Sequence, residues 1–370
     1  MGRNFSKLAL ALVILAVAFI ASPGQVGTDS VGMAAGRVYA SPGGVSASWE
    51  RGGGTNGLII YSLASHPGSP RVYAGLWGDG VYRSPSGSNS WSLTSLMAPL
   101  QIASLAIDPA NPANVVYAGA KGDGIFRSAN GGDSWGDETT GLAGEEVWSL
   151  AVTSTADPIY AYAGAGLGWP FYADIYISIN GTNWNLAGGT GIGTEKFYAL
   201  VVDPQDSRTV YVGTKEKGVH RTADGGISWT PRGLDTKTVR ALALHPDNSE
   251  IIYAGTESYG IFKSTDGGDS WSLSGLGGRG VFAIAINPRN PEFIYAGTLG
   301  DGVWASHDGG HNWHEMPGLT GDAARVYSLS LFTPAAEDDC QVLYAGTTDG
   351  VWARTVTSFY TLYLPLVHKG

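Results

Sequence analysis

The sequence predicts an all-β fold, a seven-bladed β-propeller of four-stranded antiparallel blades. Three observations predict it. The tripeptide Tyr-Ala-Gly, or a close variant, begins at Tyr73, Tyr117, Tyr162, Tyr211, Tyr253, Tyr295 and Tyr344, at intervals of 42 to 49 residues. Seven copies at that period match one four-stranded blade per repeat. Each repeat breaks into short pieces of period-two alternation, and nothing beyond the N-terminal segment keeps a helical period. The 370 residues include 55 glycines, with 43% hydrophobic and 11% aromatic residues. That composition suits many short strands and tight turns rather than disorder or helices.

Within a repeat the elements follow in a fixed order. An alternating apolar run ends near a proline, as in Val281–Pro288 (VFAIAINP). A turn leads to a second strand, Phe293–Thr298 (FIYAGT), and a glycine-centred turn to a third, Gly302–Ser306 (GVWAS). A tight turn then delivers a fourth strand around Trp313. Gly, Pro, Asn and Asp mark the turns because they supply positive φ, a preset φ or side-chain bonds to nearby amides.

The turn before the fourth strand carries a motif. It reads SANGGDSW from Ser128 to Trp135, TADGGISW from Thr222 to Trp229, STDGGDSW from Ser264 to Trp271 and SHDGGHNW from Ser306 to Trp313. Ser84–Trp91 is degenerate, and Ser178–Trp184 is one residue short. These turns resemble the Asp-box, or BNR, repeat S-x-D-x-G-x-x-W, over roughly residues 37–356. The resemblance is to the superfamily that holds sialidases, xyloglucanase-type hydrolases, sortilin and photosystem II assembly-factor propellers. The WD40 alternative fails, since none of the 12 tryptophans precedes an aspartate.

The chain divides into an N-terminal segment (1–24), a linker (25–36), the propeller (37–356) and a tail (357–370). Arg3 and Lys7 precede the apolar run Leu8–Ile20, then Ala21, Ser22, Pro23 and Gly24, the pattern of a secretory signal. The run falls short of the roughly 20 residues that span a bilayer, and an uncleaved anchor is the alternative. No later stretch reaches spanning length. The expected location is therefore outside the cytoplasm, secreted or on the cell surface. Ring closure needs a fourth strand for the last blade, whose own strands lie at Val326–Leu331, Val342–Gly346 and Val351–Arg354. Val38–Trp49 offers a hairpin that supplies Trp49 for this, and Phe359–Val367 competes for the role.

The net charge of −10, with no basic run, gives no footprint for nucleic acid and none for anionic membranes. One cysteine, Cys340, excludes an internal disulfide and a thiolate metal cluster. No cofactor or metal is expected.

Asp224, Asp266 and Asp308 look like catalytic carboxylates, yet they recur blade after blade, whereas an active site is unique. The favoured reading makes them turn staples, with Trp135, Trp229, Trp271 and Trp313 packing between sheets. Arg83, Arg127, Arg221 and Lys263 share one repeat position and read as structural too.

Function should reside where repeats disagree. Aligning the inner strands exposes one variable column: Tyr61, Ala103, Trp148, Tyr198, Arg240, Phe282 and Tyr327. The next column is uniformly Ser or Ala. The variable column should ring the channel mouth, with Trp148 and Tyr198 stacking on a ligand and Arg240 meeting an acidic or hydroxyl group. The competing reading is that these rings only fill gaps between blades. The loops after the second strands hold Asp79, Asp123, Asp301 and Asp349, each before a glycine, in contiguous blades. They form either an acidic arc for a cation or basic partner, or merely a repeated Asp-Gly turn. The same loops offer Trp77, Trp169, Tyr172 and Tyr259.

Two functional classes follow. The resemblance to sialidases and xyloglucanases implies a glycoside hydrolase or lyase. No arginine trio stands out, however, and no unique pair of carboxyls of the kind that glycoside cleavage needs. The resemblance to sortilin-type and assembly-factor propellers implies a non-catalytic module binding a glycan or an extracellular protein, and the residues favour this second class.

Overall fold

The computed structural model describes residues 48–357, apart from short stretches at 67–68, 70, 86–89, 97–98, 138–141, 143–144, 154–159, 167–172, 180, 188–191, 195 and 333–339. It is an all-β ring of seven four-stranded antiparallel sheets, with one short 3-10 turn at Gly321–Ala324. The inner strands are Ile60–Ala64, Ile102–Ile107, Glu146–Val152, Phe197–Val202, Val239–His245, Val281–Ile286 and Val326–Phe332. Each packs against the inner strand of the next blade, and the seventh packs against the first. No helix of the described residues is long and apolar enough to cross a membrane.

The Tyr-Ala-Gly repeat has a packing cause. In each blade it forms the second strand, and its tyrosine is almost fully buried. Its glycine lies against the next blade's inner strand. A Cβ built on Gly75 would sit 2.6 Å from Ile102, and one on Gly119 2.6 Å from Val147. The pattern runs round the ring and closes with Gly346 against Ile60 at 2.7 Å. Only glycine permits that approach.

The fourth-strand tryptophans make the outer joints. Each packs with the second-strand tyrosine of the preceding blade: Trp135 with Tyr73, Trp229 with Tyr162, Trp271 with Tyr211 and Trp313 with Tyr253. Trp91, Trp184 and Trp49 repeat the arrangement with Tyr344, Tyr117 and Tyr295. The indole N–H often ties the joint, as where Trp271 donates to the Arg232 carbonyl at 2.6 Å. The repeated cations act here as well. Lys263 donates to the Gly309 carbonyl of the next blade at 2.9 Å, and Arg83 to that of Gly131 at 2.5 Å.

Closure comes from the N-terminal side. The two-residue strand Glu50–Arg51, which follows Trp49, pairs antiparallel with Gly350–Thr357 as the outer strand of the seventh blade. Trp49, only 7% exposed, fills the last joint. Its indole donates to the Met316 carbonyl at 3.4 Å. The Thr55 hydroxyl locks the seam by accepting from the Val351 amide at 3.1 Å. Most of the expected hairpin Val38–Trp49 and the competing segment Phe359–Val367 lie outside the described residues.

Candidate functional site

The variable column coincides with a register irregularity in all seven blades. Between Ile60 and Ser62 the inner strand advances two residues while its partner advances one, from Leu76 to Gly75. The same shift flanks Ala103, Trp148, Tyr198, Arg240, Phe282 and Tyr327. Each column residue is therefore the extra residue of a β-bulge, unpaired in the ladder and re-aimed by the local twist. Its side chain lines the central channel, a cavity of about 210 Å³ walled below by leucines and one isoleucine of the same strands.

These side chains form a closed circuit. Phe282 meets Tyr327 edge-on at 6.0 Å between ring centroids, and Tyr327 stacks on Tyr61 at 4.7 Å. Tyr61 stacks on Trp77 at 4.6 Å, and Trp77 reaches Trp148 at 6.3 Å. Trp148 meets Tyr198 at 6.0 Å. The Arg240 guanidinium lies 3.8 Å from the Tyr198 centroid and 4.9 Å from that of Phe282, which completes the circuit. Blade 2 contributes only Ala103 to the column, and Trp77 from the blade 1 loop spans that place. The rings are half-buried, neither sealed between blades nor fully open.

The geometry alters one expectation. Trp148 and Tyr198 meet at 79°, so a ligand lying flat on one ring would face the edge of the other. Tyr61 is covered on both faces. Burial and the neighbouring Tyr327 hydroxyl push its phenol pKa up, and Arg240 opposes the shift.

Charged side chains unforeseen in the sequence gather at the rim. Lys196 Nζ sits 4.0 Å over Trp148, and Lys121 Nζ lies 5.6 Å from the same ring and 5.3 Å from Trp77. Glu146 lies between the lysines, 3.8 Å from Lys121 and 4.0 Å from Lys196, and accepts from the Trp148 indole at 3.1 Å. Glu257 accepts from Arg240 at 2.7 Å. These residues occupy two further repeat columns, two residues before the bulge (Glu146, Lys196) and four after each second-strand tyrosine (Trp77, Lys121, Lys215, Glu257). Backbone bridges such as Lys121 with Glu146 bring the two columns together. The signal was thus present, but in columns whose meeting depends on tertiary register.

The acidic arc does not join this site, for none of its four aspartates lines the channel cavity. Asp349 pairs with Arg51 and accepts from the Gly57 amide at 3.3 Å. Asp301 lies 3.3 Å from Arg279 Nε. Asp79 is half-buried and Asp123 exposed. Tyr259 is 55% exposed, with Lys237 Nζ 5.1 Å from its ring. Trp169 and Tyr172 lie outside the described residues.

The turn carboxylates are engaged locally. Asp266 accepts from the Ser264 hydroxyl at 2.8 Å, the Ser270 amide at 2.9 Å and the Ser270 hydroxyl at 2.5 Å. Asp224 and Asp308 repeat the arrangement, and Asn130 takes that part in blade 2. Bonds from Ser270 and Ser264 hold the Asp266 carboxyl down at about 2. Among the described residues, no three metal-ligating side chains come together, and no carboxylate lines the channel cavity.

No protein-family model and no curated protein matches the sequence. Solved structures do match in shape. The GH74 xyloglucanase from Xanthomonas campestris aligns with a TM-score of 0.63 at 19% identity, over 83% of this chain and 53% of that one. This chain thus spans about half the length of that enzyme. YCF48 from Cyanidioschyzon merolae aligns with a TM-score of 0.58 at 15% identity, over 83% of this chain and 98% of that one. YCF48 bound to D1 peptide gives a TM-score of 0.62 at 17% identity, over 84% and 97%. At these identities the likeness is one of fold: the chain is a seven-bladed β-propeller that shares its fold with these GH74 and YCF48 structures.

Proposed function

We propose that this chain is an extracytoplasmic binding propeller, secreted or held at the cell surface, that captures a glycan or a protein partner at its channel mouth without transforming it. The observation that carries this reading is the closed circuit of six aromatic rings and Arg240, built from bulge residues where the repeats disagree together with Trp77 of the blade 1 loop. A half-buried aromatic rim with seated cations is suited to recognition. Among the described residues no carboxylate lines the channel cavity, and the carboxylates at its rim, Glu146 and Glu257, are ion-paired with Lys121, Lys196 and Arg240. The signal-like segment with Arg3, Lys7 and Leu8–Ile20 supports the location. A peptide-bound propeller among the structural neighbours supports a protein partner as one outcome.

The test is a screen of the protein on glycan and peptide arrays, followed by Trp148→Ala. Truncation should weaken binding by about 1–3 kcal/mol with little change in melting temperature. Unchanged affinity would remove the mouth from consideration. The hydrolase reading has the likeness to the GH74 enzyme in its favour. Release of reducing ends from a β-glucan or xyloglucan would establish it instead.

A further inference from the structure

We infer that the ligand of the mouth is a glycan bearing carboxylate groups, a uronate, whose acid group is taken by Lys196, Lys121 and Arg240. The inference rests on the reading of the mouth as the binding surface. The first support is charge. In a chain of net charge −10, three cations, Lys121, Lys196 and Arg240, meet at the rim with two carboxylates, Glu146 and Glu257, among the described residues. Lys121, Lys215 and Arg240 all lie close enough to Lys196 to repel its charge. Glu146 must serve two lysines and an indole at once, and its lysine distances of 3.8 and 4.0 Å are loose. Arg240 gives one terminal nitrogen to Glu257, while its buried Nε has no partner among the described residues. Among the described residues the three cations share two carboxylates, and an incoming anion would pair with them.

The second support is what remains for a ligand to touch. Lys196 and Arg240 already sit over Trp148 and Tyr198, so flat stacking on those faces is taken up. Cations remain, together with the phenols of Tyr61, Tyr198 and Tyr327, close enough to interact with one another. Phenols donate and accept, as sugar hydroxyls do. The cavity is small, about 210 Å³, with aliphatic side chains of the inner strands in its wall, which suits a sugar unit at the rim better than a broad protein surface. Hydroxyls and a carboxylate on one ring-sized unit describe a uronate.

The test is calorimetric titration of the full chain with three probes: a short oligogalacturonate, a neutral galacto-oligosaccharide of equal length and an oligoglutamate. The oligogalacturonate should bind about 10-fold or more tighter than either of the others, the scale of a charge-assisted hydrogen bond. Raising salt from about 0.05 to 0.5 M should weaken it. Lys196→Met and Arg240→Gln should each lower its affinity about 10-fold. Melting temperatures establish that the variants are folded, and where one is not, the salt dependence of the unaltered protein carries the test. Equal binding of the neutral probe overturns the carboxylate inference and leaves the mouth reading intact. Tighter binding of oligoglutamate assigns the mouth to an acidic peptide and overturns the inference too. Absence of oligogalacturonate binding at millimolar concentration overturns it alone, the array screen with Trp148→Ala deciding the mouth. Binding that both substitutions leave unchanged overturns the inference and the mouth reading together.

Discussion

Substituting alanine for Gly255 separates two causes for the repeated Tyr-Ala-Gly, local strand preference and contact between blades. A Cβ at Gly255 would stand 2.8 Å from the Val281 carbonyl oxygen and 2.9 Å from its Cγ1. The first is a backbone atom of the next blade's inner strand, so no rotamer change can clear it. The two strands must part by several tenths of an ångström, in a ring whose other joints resist. Overpacking of this kind costs about 1–3 kcal/mol. At about 2 kcal/mol the melting temperature of a propeller this long should fall by roughly 3 °C. Gly277 is the control, since its added Cβ would meet only Leu273 Cδ2 at 3.5 Å, an ordinary contact. Gly277→Ala should be neutral, or stabilising by about 0.4–1 kcal/mol through the unfolded chain. Differential scanning calorimetry of both variants decides the matter. Equal melting temperatures would refute the contact explanation.

Other outcomes follow from the same geometry. Trp49→Ala removes a buried ring from the closing joint and should cost about 3–5 kcal/mol, whereas the half-buried Trp271 should cost less; urea titration gives the order. The Asp266 carboxyl is depressed to about 2 by its turn bonds, so its contribution is present above the unfolded value near 4 and fades as pH falls through 2. Asp266→Asn should flatten the acid limb of the stability profile over that window and leave ligand binding unchanged at pH 7. Trp77→Ala should open the circuit between Tyr61 and Trp148, detectable as a change in near-ultraviolet circular dichroism while the far-ultraviolet signal persists.

The blades were legible in the sequence because a repeat presents each physical requirement seven times. Tyr-Ala-Gly marks a joint that every blade must make, whereas closure was left between Val38–Trp49 and Phe359–Val367 until the Glu50–Arg51 pairing placed it on the N-terminal side. The bulge was not legible. It is a relation between two strands, and within one strand the alternation of inward and outward residues continues across it, as in Ile60–Ala64. The variable column was found, but not its geometry. Ala103 read as a gap in the aromatic series, while Trp77, which spans that gap, lies in the preceding repeat. Lys121, Glu146 and Lys196 escaped notice for the same reason, as residues of separate repeats that only the assembled ring brings into contact.

The Glu50–Arg51 strand has a consequence for how the molecule comes into being. Its partner, Gly350–Thr357, lies some three hundred residues later, so the seam joins only after all seven blades have been made. Loop-closure entropy grows only logarithmically with that separation, and the delay matters more than the energy. Until the early strand docks, Gly350–Thr357 presents its outer side as an unpaired edge, a template for a second chain. The same pairing should allow a second copy to lend its N-terminal strand, giving exchanged dimers when nascent chains are crowded. A permuted chain that begins at Ile60 and carries residues 48–55 behind Thr357 through a short linker would make the seventh blade from contiguous sequence, and should refold with fewer such dimers than the native order.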